Sequence, residues 1–197
     1  ISFHAYGCTA AKSAGEKSHD TPSPLPPPDP PERWAEAGTG LISLQGAKAL
    51  ARHLGEAAQG DIWLEDHPWL RPVALELAQL GIAARVAHKD AALGVDTAVT
   101  VGLGGIPELG SVLVAGGEGP AAWLGLQARR HVVLAPPEQA SLNVQEALDL
   151  VKEHQGSLVT WLTGPTRTAD IEKILVLGAQ GPAELTIILY QPKPSGE

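Results

Sequence analysis

Cysteine is almost missing from this sequence: Cys8 is the only one. One thiol cannot close an internal disulfide, and it cannot ligate an iron–sulfur cluster, which takes several thiolates. A reducing cytoplasm is the expected compartment. Methionine is absent altogether, so Ile1 is not expected to be an initiator and residues are expected to precede it. The first eight residues, ISFHAYGC, lack the basic start and apolar run of a signal peptide. No apolar run is long enough to span a bilayer. Positive charge is also scarce, with 14 Lys and Arg against 22 Asp and Glu and a net charge of −8. Nucleic acid and anionic membrane would both be repelled, so neither is expected as a partner.

Several chemical fingerprints are missing too. The sequence contains no G-x-x-x-x-G-K-[ST] and no G-x-S-x-G, which argues against P-loop nucleotide use and serine-hydrolase chemistry. The histidines form no H-x-H or H-x-x-x-H pair, and no metal is expected. Glu65, Asp66 and His67 are adjacent and read as solvated loop charges. The run from Gly102 begins like a dinucleotide fingerprint with Gly102 and Gly104. Pro107 then stands at the last glycine position and no helical pattern follows, so flavin and nicotinamide cofactors are not expected.

Proline is plentiful in one place. Seven prolines fall between Pro22 and Pro31, favouring extended polyproline structure. Residues 1–38 are read as a tail, either a strap or a linker, residues 39–191 as one domain, and residues 192–197 as a polar tail. Within the domain, apolar periodicity alternates. GLISL is extended, and Ala47, Leu50, Ala51 and Leu54 recur at helical spacing. DIWLE reads as a strand and residues 68–80 as a helix, with Leu70, Val73, Ala74, Leu77 and Leu80 on one face and Gly81 beyond its end. IAARV, DTAVTVGL, SVLVA, HVVLA, SLVTWL and ELTIILY are further strands. The glycine-rich run before SVLVA reads as a loop, giving a hairpin-like pair. Arg129, Arg130 and His131 read as a solvated strand edge. Residues 142–154 read as a helix with Leu142, Ala147, Leu148 and Val151 inward. Alternating strands and helices with short links predict an α/β, three-layer Rossmann-like sandwich around a mostly parallel sheet.

The richest stretch is residues 157–182. A strand, SLVTWL, runs into the turn TGPTRT, and Thr168 then caps a helix with Asp170 in its first turn. Such a loop is where α/β proteins gather free backbone N–H groups around a ligand. Gly164, Thr166, Arg167, Thr168, Asp170 and Glu172 form the candidate binding cluster, with Gln180 and Glu108 as neighbours. Arg167 would hold a carboxylate or phosphate through its guanidinium fork, and Thr166 and Thr168 would donate hydroxyl hydrogen bonds. The plainer alternative has Arg167 pairing with Asp170 or Glu172 and merely pinning the loop.

TGPTRTADIE, from Thr163 to Glu172, and LGAQGPAEL, from Leu177 to Leu185, resemble the signature of the LUD-domain family of the lactate-utilization protein C type. That signature usually reads T-G-P-S-R-T-A-D-I-E and then G-V-H-G-P. Thr166 keeps the hydroxyl of the usual serine, whereas Gln180 replaces the usual histidine. Glu108, Leu109, Gly110 and Ser111 resemble a second family stretch, an acid followed by T-G-T. The resemblance implies a fold similar to the sugar-phosphate isomerase and CoA-transferase group. It also implies a part in L-lactate utilization, beside iron–sulfur partner subunits that oxidise L-lactate to pyruvate. With a single cysteine, the chain is expected to be a non-redox component that binds a small carboxylate or phosphate metabolite or assembles with those subunits. The alternative is a free-standing isomerase or CoA-transferase-like enzyme on a small anionic metabolite. In that alternative Glu108 is the catalytic carboxylate; otherwise it is a solvated turn residue.

Overall fold

A computed structural model of the chain describes Trp34 and residues 40–87, 95–116, 120–154, 158–163 and 181–192. The proline-rich segment lies outside the described residues. In chain order the elements are β1 (Gly40–Gln45), α1 (Ala47–Ala57), β2 (Ile62–Leu64), α2 (Arg71–Gln79), β3 (Ala84–Val86), β4 (Thr97–Ile106), β5 (Ser111–Gly116), α3 (Pro120–Gln127), β6 (Arg130–Ala135), α4 (Val144–Glu153), β7 (Leu158–Thr163) and β8 (Glu184–Gln191).

Six strands lie in the order β1-β8-β6-β4-β2-β3, and each adjacent pair runs parallel. The alternation of their side chains explains the layers. Val99, Val132, Leu134, Ile188 and Tyr190 face one side, where they are buried with Leu50 and Leu54 of α1 and Val73 and Leu77 of α2. Their neighbours face the other side. Ala98 packs with Leu124 near α3, and Val133, Ala135 and Ile187 pack around Trp34. This is the α/β sandwich with a mostly parallel sheet that the alternation predicts.

Strand β4 belongs to two sheets. Its first half pairs parallel with β6 up to Val101, opposite Leu134. From Gly102 it pairs antiparallel with β5, with a register shift between Gly102 and Gly104, and β5 pairs antiparallel with β7. A bulge bends a strand and raises its twist, so β4 leaves the main sheet as the stem of a second, antiparallel one. The glycine-rich run expected to be a loop is therefore mostly strand. Its glycines serve close packing. A Cβ on Gly104 would lie 2.6 Å from Leu142 and 3.0 Å from the Gln139 carbonyl, and one on Gly105 would lie 2.6 Å from the Trp34 ring.

Local signals set the helix ends. Asn143 and Glu146 form a capping box at α4, with Asn143 Oδ1 accepting from the Glu146 N–H at 2.9 Å and Glu146 Oε2 accepting from the Asn143 N–H at 2.8 Å. Helix α2 starts at Arg71, three residues later than Pro68 suggests, and Pro72 occupies its first turn. Two leucines assigned inward are exposed, Leu80 after α2 and Leu148 on α4. Helix α3, PAAWLGLQ, was not expected. It is apolar almost all round, so it shows no stripe for periodicity to find.

The basic cluster at the start of β6 also differs from expectation. His131 is fully buried, and its Nε2 shares a 2.8 Å hydrogen bond with Thr100 Oγ1. A Cβ on Gly125 of α3 would lie 2.1 Å from the His131 ring. Gly125→Ala is therefore expected to lower stability by about 1–3 kcal/mol through overpacking. Urea unfolding would check this, and a midpoint equal to wild type would refute it. Arg129 is a bridging cation, bonding Asp96 Oδ1 and Glu184 Oε1 at 2.9 Å each, while Arg130 Nε bonds Glu184 Oε2 at 2.8 Å. Desolvation pushes the Asp96 carboxyl up, but hydrogen bonds from Arg129, Thr97 and the Gln59 amide outweigh it and hold the group below the usual carboxylate range.

A candidate site where two sheets diverge

The last residue of one family-like stretch, Ser111, meets the first residue of the other, Thr163. Ser111 opens β5 and Thr163 closes β7, and they are register partners. Their hydroxyls share a 2.8 Å hydrogen bond, and Ser111 Oγ also lies 3.2 Å from the Leu109 carbonyl oxygen. Between β4 and β5 the chain makes one 3-10 turn, Pro107–Leu109, closed by Gly110 in the left-handed region at φ 57°. A residue with a side chain is strained there, which accounts for the glycine. Glu108 sits in this turn and is exposed. The TGPTRT loop leaves β7 at the very next residue, Gly164. The hairpin tip with Glu108 and the entry of the loop are thus side by side, joined through Ser111 and Thr163. Gly164, Thr166, Arg167, Thr168, Asp170, Glu172 and Gln180 lie outside the described residues.

A second position follows from topology. After β2 the chain moves outward to β3, whereas after β4 it continues toward β6 on the opposite side. Neighbouring strands whose onward connections part in this way define a switch point, and the crevice beyond their C-terminal ends is a ligand position in open α/β sheets. Glu65 is the first residue after β2. Its N–H donates to the Val99 carbonyl at 2.9 Å, and its Oε2 accepts from the Val101 N–H at 2.8 Å. Val101 is the last parallel residue of β4, so its N–H is released where the strand turns into the second sheet. Glu65 meets that vacancy.

Burial raises the Glu65 carboxyl above its ordinary range; the Val101 N–H opposes this and the nearby Asp66 adds to it. Glu65 is therefore not one of the solvated loop charges expected from sequence. Asp66 is exposed, and it pairs with Arg71 at 3.2 Å. His67 is lowered by burial. Its Nδ1 accepts from the Trp69 N–H at 3.2 Å, and its ring meets Trp69 edge-on at 5.6 Å. Trp69 in turn packs on buried Tyr190 at 5.9 Å, tying this segment across the sheet to β8. No sequence motif marks Glu65; the one signal available was an acidic residue directly after a short apolar strand.

At the other end of the strands lies a cavity of about 210 Å³, lined in part by His53, Thr97, Arg130 and Glu184. Its charged groups satisfy each other, and Arg130 also donates to the Ala57 carbonyl. Among the described residues, no group of three or more His, Cys, Asp or Glu side chains is placed to hold a metal ion. Among those residues no helix is long and apolar enough to cross a membrane.

Comparison with known proteins places these features in a family. Residues 43–190 match the profile of the LUD domain. The protein described as lactate utilization protein C from Anoxybacillus flavithermus (strain DSM 21510 / WK1) is 28% identical over 85 residues, covering 43% of this chain and 39% of the relative. The match thus spans about two fifths of that protein's length. A crystal structure of a DUF162 family protein from Deinococcus radiodurans is similar in fold, with a TM-score of 0.57 and 21% identity, covering 82% of this chain and 94% of that one.

Proposed function

The chain belongs to the LUD-domain family, and from that premise we propose that it is a non-redox component of an L-lactate utilization system. In this reading it binds a small carboxylate at the junction of the β4–β5 hairpin and the loop after β7. It works beside iron–sulfur subunits in the cytoplasm. The observation that carries the site is the Ser111–Thr163 pair, which brings the turn of Glu108 beside the start of the loop bearing Arg167. A guanidinium fork recognises a carboxylate through two parallel hydrogen bonds, and Arg167 would supply it, with Thr166 and Thr168 adding hydroxyl donors and Asp170 orienting the fork. The lactate-utilization relative supports the metabolite class. The single cysteine supports the division of labour, since cluster ligation needs several.

Isothermal calorimetry with L-lactate and pyruvate tests the reading. Binding by the wild type is expected to weaken by about tenfold or more in Arg167→Ala, with the melting temperature unchanged. Equal binding by both proteins would remove Arg167 from the site. No binding of either acid by the wild type would remove the carboxylate reading. One observation favours a second possibility, a free-standing enzyme of isomerase or CoA-transferase type: Glu108 is exposed on the hairpin tip beside the same loop. That enzyme would turn over a phosphosugar or a CoA thioester alone and lose turnover in Glu108→Gln. A subunit would be inert alone and would co-purify with a cysteine-rich protein.

A further inference from the structure

We propose that the cavity under the last turns of α1 is a second ligand site, and that it takes a short-chain aliphatic monocarboxylate. It lies at the opposite end of the strands from the Ser111–Thr163 junction and does not depend on the reading above.

Strand register builds the cavity. Thr97, Arg130 and Glu184 are partners on the adjacent strands β4, β6 and β8. Thr97 stands two residues before Val99, Arg130 two before Val132, and Glu184 and Thr186 four and two before Ile188. Even spacing keeps strand side chains on one face. All four polar residues therefore share the face on which Val99, Val132 and Ile188 pack against α1. His53, Leu54 and Ala57 of α1 close the cavity, and Ile42 and Val132 add to its apolar lining. The row nearest the strand starts is thus polar although a helix covers it. Packing alone favours apolar side chains there, as in the rows that follow. Glu184 lines the cavity while half-exposed, so the space opens to solvent.

Hydrogen bonding around the cavity leaves donors over. Asp96 Oδ1 holds Arg129, and Oδ2 holds the Thr97 hydroxyl at 3.0 Å and the Gln59 N–H at 3.3 Å. The two Glu184 oxygens hold Arg129 and Arg130, and the Ala57 carbonyl holds Arg130 Nη1. Each of these acceptors is taken. Among the described residues, Arg130 Nη2, the Thr186 hydroxyl and the His53 ring have no partner. The Arg130 side chain is only 17% exposed, and Arg129 Nη2 is also enclosed without a partner. Two cations offset two anions, so the charges cancel while the hydrogen bonds do not.

A ligand that completes this set brings acceptors. A carboxylate offers about four acceptor positions and no donor, and a guanidinium N–H gains most from an ionised acceptor. The remainder of the ligand meets Ile42, Leu54 and Val132, so it is apolar. The volume of about 210 Å³ equals that of about seven waters, room for the headgroup and a branched chain of about four carbons. L-lactate places a hydroxyl where this lining is apolar and fits it poorly.

Amide-resolved NMR titration of the full chain with 3-methylbutanoate, 3-methylbutylamine and L-lactate tests this. 3-Methylbutanoate is expected to shift the amides of residues 53–57, 130–132 and 184–186 saturably. The amine has a similar shape but only donors, and L-lactate lacks the apolar branch. Each is expected to bind there about tenfold more weakly or worse. Thr186→Val keeps the side-chain shape and removes one donor. It should weaken 3-methylbutanoate by about tenfold with the melting temperature unchanged, and leave the response of Ser111 and Thr163 to L-lactate as it is in the wild type. Shifts by 3-methylbutanoate confined to Ser111 and Thr163 would overturn the second site and leave the first intact. Equal binding of the amine and the acid would overturn the carboxylate class. Absence of saturable shifts around the cavity with 3-methylbutanoate would overturn the proposal, whatever L-lactate does elsewhere.

Discussion

Trp34→Ala is expected to lower the stability of the domain by about 3–5 kcal/mol, the range for truncating a large buried aromatic. Trp34 is fully buried, although it lies ahead of the boundary expected near residue 39. It forms one cluster with Val112 and Val114 of β5, Val133 and Ala135 of β6, and Leu185 and Ile187 of β8. It is thus wedged where the parallel and antiparallel sheets diverge. Its indole N–H donates to the Ala140 carbonyl at 3.2 Å, and Gly105 leaves room for the ring edge. The alanine variant creates a cavity at the joint of two sheets, which rigid strands cannot collapse to fill. A typical domain has only about 5–15 kcal/mol of total stability, so this one change consumes a large share. Trp34→Phe keeps most of the volume and loses mainly the hydrogen bond, for a smaller loss of about 1 kcal/mol. Urea unfolding of the three proteins measures both. An alanine variant within about 0.5 kcal/mol of wild type, the range of an inconsequential surface change, would show that the ring adds nothing to the core.

The case of Trp34 shows where sequence reasoning succeeds and where it stops. Alternating apolar residues in IWL, AVTV, HVVLA and ELTIILY are legible because a strand buried on both faces must be apolar over its whole length. The six parallel strands and helices α1, α2 and α4 are legible in this way. A lone tryptophan after a proline run carries no period, so nothing in the sequence separates an anchored ring from an exposed one. Helix α3 was illegible for the opposite reason, being apolar on every face. The glycines of β4 resemble loop residues in the sequence because small size is a signal shared by turns and by close packing. Only the positions of Leu142 and Trp34 decide between the two. Glu65 was beyond reach because its role depends on strand order. The switch point exists only once β2 and β4 are neighbours, and that pairing joins residues more than thirty positions apart. Arg129 and His131 are two positions apart in sequence and have opposite fates, one bridging two carboxylates near the surface and the other sealed under Gly125.

That sealed histidine gives the largest expected response to pH. Burial lowers the His131 pKa from an ordinary 6.5 to about 3, and Nδ1 has no partner to stabilise a second proton. In the unfolded chain the same ring titrates near 6.5. Between these two values the unfolded state binds a proton that the folded state refuses, so unfolding becomes easier as pH falls. The slope approaches about 1.4 kcal/mol per pH unit below 6.5, and stability should fall by about 2–3 kcal/mol between pH 6.5 and 4.5. His67, also lowered by burial, adds in the same direction. Glu65 acts the other way. Its carboxyl is raised in the folded state, so there the folded chain holds the extra proton, and stability from this group is lost as pH rises through its folded value. Asp96, held low by its donors, contributes stability that is lost only when pH falls through the carboxylate range. The variant His131→Gln separates these. It preserves a polar partner for Thr100 Oγ1 and removes the titration, while Glu65, His67 and Asp96 continue to act. Urea midpoints of wild type and variant measured at pH 7.5, 6.5, 5.5 and 4.5 should diverge in slope, the wild type falling more steeply below 6.5. Parallel curves would mean that His131 takes up a proton in the folded state, and that the helix carrying Gly125 opens to admit it.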